Sequence, residues 1–118
     1  MNNIELGYFV KLANYLEYST NRLVDRHVGI TPKPLLHKDM VDILDVTIRT
    51  VGTFMGNMSD IKAILRIDSH YYVNPSFASR SVGLDSSIVM RMIEIDPSIF
   101  HFIDEEQQSI IKNFNLLP

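Results

Sequence analysis

The chain has no cysteine and no tryptophan, and only five glycines and five prolines among its 118 residues. Without cysteine, disulfides and every thiolate-held metal site are excluded, and the composition fits a reducing compartment. No apolar run approaches the roughly 20 residues that a membrane helix needs. The first residues include Asn2, Asn3 and Glu5, where a secretory signal would be basic. The expectation is a protein that stays where it is made, with no membrane partner. Internal repeats and low-complexity stretches are also missing. So is a surplus of positive charge: 11 Lys and Arg face 14 Asp and Glu, for a net charge of -3. A typical nucleic-acid-binding domain has a pI above roughly 9. What remains is an ordinary globular composition, 46% hydrophobic and 21% charged. It suits one domain over residues 1–118, large enough to bury roughly two-thirds of its unfolded surface.

Charge becomes informative once it is divided along the chain. Residues 22–38 carry Arg22, Arg26, Lys33 and Lys38 against Asp25 alone, with His27 and His37 among them. Residues 61–84 add Lys62, Arg66 and Arg80 against Asp68. The acids concentrate later: Asp85, Glu94, Asp96, Asp104, Glu105 and Glu106 face only Arg91. A chain with one basic and one acidic half is able to present a basic face.

Periodicity supplies the architecture. Tyr8, Leu12, Tyr15 or Leu16, and Leu23 recur at helical spacing up to Gly29, Pro32 and Pro34, although Tyr8, Phe9 and Val10 also suit a strand. Leu36, Met40, Ile43 and Leu44 form a short amphipathic helix, broken at Asp45-Val46-Thr47. Thr47 caps a second helix whose Val51, Phe54, Met55 and Met58 share a face. Two short helices joined by about three residues make a helix-turn-helix pattern. The period then changes to two: Ile61–Ile67 and Tyr71–Val73 read as strands around an Asp68-Ser69 turn, ended by Asn74-Pro75. One of Tyr71 and Tyr72 is expected in the core and the other exposed. A further helix runs from Asp85-Ser86-Ser87 to Pro97 with Ile88, Met92 and Ile95 inward. The last starts at Asp104, with Gln107 reaching back to cap it, and carries Ile110, Ile111 and Phe114. Residues 85–118 thus form a C-terminal helical extension that either completes the core or pairs two subunits. The fold class expected is mainly α with a small β-hairpin (α+β), in the order of a winged helix-turn-helix.

Four segments also carry a resemblance: Gly7-Tyr8-Phe9-Val10-Lys11-Leu12, Tyr18-Ser19-Thr20-Asn21-Arg22-Leu23-Val24, Val46-Thr47-Ile48-Arg49-Thr50-Val51 and Tyr71-Tyr72-Val73-Asn74-Pro75. Together they resemble the winged-helix proteins of Firmicute plasmids and phages, the RepL-type replication proteins and their relatives, over about residues 7–100. The resemblance implies double-stranded DNA binding, in replication initiation or transcription control, in a bacterial (host) cytoplasm. It makes Ile48–Met58 the recognition helix, with Arg49, Thr50 and Thr53 facing the groove beside Thr47 and Asn57, and makes the hairpin from Asp68 to His70 the wing. Arg22, Arg26, Lys33 and Lys38 are then candidate phosphate contacts. A homodimer would double those contacts.

The recognition segment departs from that pattern. Relatives carry basic or long polar residues where this chain has Gly52, Thr53, Gly56 and Asn57, and a turn glycine where it has Asp45. Arg49 is the only cation between Val46 and Ile61, while Asp39, Asp42, Asp45 and Asp60 lie nearby. The alternative expectation is therefore the same fold used as a protein-binding module, such as a phage factor that occludes a host protein. No cofactor, metal site or catalytic residue is expected: His27, His37, His70 and His101 lack metal-ligand spacing, and neither a nucleophile-elbow motif nor a phosphate-binding glycine loop is present.

Overall fold

Asn2 sets the first helix. Its side-chain oxygen accepts from the Glu5 N–H at 2.8 Å, and Glu5 Oε1 accepts from the Asn2 N–H at 3.2 Å, a reciprocal capping box. The computed structural model describes residues 1–25, 31–78 and 84–113. Arg26, His27, Gly29, Arg80 and Phe114, all singled out in the sequence, lie outside the described residues. Helix α1 spans Asn3–Ala13 and buries Phe9 and Leu12, so Tyr8 to Val10 are helical and not extended. Its helical period does not continue to Leu23. The chain turns back after Ala13, and Leu16 bridges Leu23 in antiparallel fashion.

Two left-handed residues, Ser19 (φ 74°) and Asn21 (φ 61°), make that reversal. Asn21 is fully buried, and its Nδ2 donates to the carbonyls of Val73 at 3.1 Å and Ala78 at 2.7 Å. The backbone follows: the Val73 N–H donates to the Asn21 carbonyl at 2.9 Å, and the Leu23 N–H to the Tyr71 carbonyl at 2.8 Å. Strand β1 (Val24–Asp25) then pairs with β2 (Lys33–Pro34) in a first small antiparallel hairpin.

Helix α2 (His37–Leu44) buries Met40 and Leu44 and ends at Asp45, a left-handed residue with φ 55° where glycine is the usual choice. Helix α3 (Ile48–Asp60) starts as its sequence indicates, the Thr50 N–H donating to Thr47 Oγ1 at 3.2 Å. Val51, Phe54, Met55 and Met58 all face inward. The expected strand from Ile61 begins later, because Ile61 caps α3 and Lys62 turns the chain at φ 59°. Strands β3 (Ile64–Ile67) and β4 (His70–Val73) pair antiparallel with Leu65 opposite Tyr72 and Arg66 opposite Tyr71. Asp68 and Ser69 join them with φ 52° and 67°, the paired positive φ values of a type I′ turn.

The second hairpin separates two cores. Ile64 and Val73 face the α1–α3 side, with Leu12, Met40, Val51 and Met58. Leu65, Ile67 and Tyr72 face the other way, under α4 (Ser86–Ile95), a 3₁₀ helix (Pro97–Phe102) and α5 (Glu105–Asn113). The C-terminal helices thus cover the far side of the hairpin. Three expectations are corrected here. Ile95 is 37% exposed, and Val89 and Ile93 take the inward positions beside Ile88 and Met92. Gln107 does not reach back to cap α5; its backbone N–H donates to Asp104 Oδ1 at 2.8 Å, while its side-chain amide turns inward to the Leu84 carbonyl. Neither tyrosine is exposed: Tyr72 lies in the second core and Tyr71 is half-buried against the first.

The result is an α+β fold with two small antiparallel hairpins. No described helix is long and apolar enough to cross a membrane.

Candidate nucleic-acid interface

The inward period of α3 leaves Arg49, Gly52, Thr53, Gly56, Asn57 and Asp60 on its exposed side. A Cβ built on Gly52 or Gly56 would meet no atom within 4 Å, so neither glycine is dictated by internal packing. On one flank, α1 and α3 enclose an open groove of about 340 Å³. Arg49, Thr50, Thr53 and Asn57 line it from α3, facing Ile4, Glu5 and Tyr8 of α1. Tyr8 sets the spacing by meeting Phe54 edge-on, centroids 5.5 Å apart at 90°. Asn57 Nδ2 donates to Glu5 Oε2 at 2.9 Å. That bond, with the Asn2 N–H, holds the Glu5 carboxyl below its ordinary pKa. A fixed negative charge therefore stands at one end of the groove. Thr47 contributes through its cap, its hydroxyl 3.0 Å from that of Thr50.

Four of the residues singled out in the sequence thus share one surface. Arg22, Lys33, Lys38 and His70 lie elsewhere. Arg22 forms an ion pair with Glu17 at 3.0 Å and approaches His70 Nδ1 at 3.4 Å, beside β4. With its side chain 19% exposed, Arg22 has its charge compensated within the fold. Lys33 is exposed on β2, its backbone opposite Asp25, and Lys38 is exposed near the start of α2. At the hairpin turn, Arg91 of α4 reaches Asp68 through two hydrogen bonds, which hold the Asp68 carboxyl below its usual range. The acids of the helix-turn-helix segment divide. Asp39 and Asp42 line a different recess, with Asn14, Tyr15, Asp25 and Leu35, away from the outer side of α3.

On the opposite flank of α3 is a smaller recess of about 170 Å³, lined by Met55, Ser59, Ile64, Arg66 and Tyr71. The sequence offered Arg66 only as part of a local charge surplus and His37 only as a histidine without metal-ligand spacing. In the fold His37 is half-buried, stacked on Tyr71 with centroids 5.5 Å apart, and its Nε2 lies 3.0 Å from the Tyr71 hydroxyl. Strand alternation carried the missed signal: Arg66 shares the α3-facing side of β3 with Ile64, while Leu65 and Ile67 point away.

Among the described residues, no group of three or more His, Cys, Asp or Glu side chains is arranged to hold a metal ion. In comparisons with known proteins, no family model, curated protein or solved structure matches the chain.

Proposed function

We propose that this is a winged-helix, double-stranded DNA-binding protein, similar to the RepL-type proteins, in which α3 enters the major groove and the β3–β4 hairpin flanks it as the wing. The element order supports the reading: helix, extended segment at residues 21–23, helix, helix, hairpin, with the extended segment bonded to β4. The observation that carries it is the character of α3's outer side. Arg49 and Thr53 stand there beside two uncovered glycines, and the nearby Asp39 and Asp42 face another recess. An arginine near the start of such a helix reads guanine bidentately or holds a phosphate. Acting as a homodimer in a bacterial host cytoplasm, in transcription control or replication initiation, the protein gains the second set of phosphate contacts that one cation on α3 does not supply.

The test is fluorescence anisotropy of labelled duplexes across a salt series. Log affinity should fall linearly with log salt, and Arg49→Gln should weaken binding and flatten the slope by about one unit. A second reading has its own support: Glu5 on Asn57, Asp68 at the hairpin turn and the net charge of -3 suit a protein-binding module, for example one that occludes a host protein. Absence of any salt-dependent retention on DNA selects that reading.

A further inference from the structure

We propose that the recess between α3 and the hairpin is a subsite for one phosphodiester of the duplex backbone, gripped by Arg66 and by the Tyr71 hydroxyl. This rests on the DNA reading above and deepens it by assigning a contact that lies outside the recognition helix. Arg66 is exposed and, among the described residues, forms no ion pair. It is the cross-strand partner of Tyr71, so guanidinium and phenol leave the same sheet face from paired positions. His37 fixes the phenol: the stacked rings and the 3.0 Å contact leave the hydroxyl one direction in which to serve a ligand. When His37 Nε2 carries a hydrogen and donates it to the Tyr71 oxygen, the phenolic proton is free to donate outward.

Ser59, in the last turn of α3, brings a hydroxyl to the opposite wall, while Met55 and Ile64 provide the apolar part of the lining. Position selects a backbone phosphate over other anions. Met55 lies three residues after Gly52 and Ser59 three after Gly56, so the recess opens directly off the bare strip of α3. A strand lying along that strip would pass over it. An arginine fork matches the non-bridging oxygens of a phosphodiester.

The experiment measures binding of the full chain to several labelled duplexes of different sequence across a salt series, for wild type, Arg66→Gln, Tyr71→Phe and Arg49→Gln, with thermal melts to verify folding. Expected is an affinity loss of about three- to tenfold for Arg66→Gln, equal for all sequences, with the salt slope reduced by about one. Tyr71→Phe keeps the ring and should lose about two- to fivefold through its missing hydrogen bond. If both variants bind like wild type while Arg49→Gln is impaired, the subsite is wrong and the role of α3 stands. If wild type shows no salt-dependent DNA binding, both are wrong. In a parallel titration, inorganic phosphate at matched ionic strength should not saturate the recess; saturation that depends on Arg66 would make free phosphate the ligand and overturn the assignment to duplex DNA.

Discussion

Asn57, on the exposed side of α3, donates to the carboxylate of Glu5 at 2.9 Å, so the first helix places a negative charge against the surface that carries Arg49. In the DNA reading this charge opposes the approach of phosphates. Glu5→Gln removes the charge and keeps one carbonyl oxygen, which accepts from either Asn57 or the Asn2 N–H but not from both. Duplex affinity should rise about two- to fivefold at low salt, and the gain should shrink as salt increases, since exposed charges are screened within about 10 Å at 0.1 M. A gain that is independent of salt would point to a structural change and not to relief of repulsion.

Asn21 ties the extended segment to β4 and to the chain beyond it. Its amide serves two carbonyls, Val73 and Ala78, at zero exposure, and its φ of 61° is one that asparagine tolerates better than most residues. Asn21→Ala leaves both carbonyls without that donor and keeps a Cβ in the left-handed region, for a cost of about 2–4 kcal/mol. Urea unfolding measures it. A loss below about 1 kcal/mol would mean that water replaces the amide.

Local chemistry made much of this fold legible. Thr47 is a cap in sequence and in structure, the spacing of Val51, Met55 and Met58 marks the buried side of α3, and Asp68-Ser69 adopts the turn its position between two β-prone runs suggests. What the sequence hid depends on long-range pairing. Nothing local announces that Asn21 anchors carbonyls 52 and 57 positions away. The same holds for the groove: the resemblance brought Arg49, Thr53 and Asn57 together on one helix, but Glu5 enters the groove from a separate helix. Ile95 misled because a three- to four-residue period fits several registers at a helix end, where Val89 and Ile93 are equally apolar.

Asp96 carries a pH-dependent share of the link between the two cores. It caps the 3₁₀ helix by accepting from the Ser98 N–H at 3.2 Å and the Ser98 hydroxyl at 2.7 Å, and its other oxygen accepts from the buried Asn74 amide at 2.9 Å. Burial pushes its pKa up, and this is the largest single influence, but the Ser98 and Asn74 hydrogen bonds together outweigh it and leave the carboxyl below its ordinary value. A lowered folded pKa stabilises fully above the unfolded carboxyl value of about 4, and the contribution disappears as pH falls through the folded value. Asp96→Asn keeps one oxygen for the cap but turns an amide toward the Asn74 amide, so it should cost about 1 kcal/mol at neutral pH through that lost hydrogen bond. The difference from wild type should narrow in melts below about pH 4. A gap that stays constant with pH would assign the loss to packing.

Gly52 and Gly56 set stability against function on α3. Each costs about 1 kcal/mol relative to alanine inside a helix, and a Cβ at either position meets nothing within 4 Å. Gly52→Ala and Gly56→Ala should therefore each raise stability by about 0.5–1 kcal/mol, seen as an increase in Tm. In the DNA reading the same methyl groups stand where a nucleic-acid strand comes close to the helix backbone, so duplex affinity should fall severalfold as stability rises, with the salt slope unchanged because no charge is removed. Increased stability with undiminished DNA binding would leave the two glycines without an interface role and shift the contact surface toward Arg49 and the α1 groove.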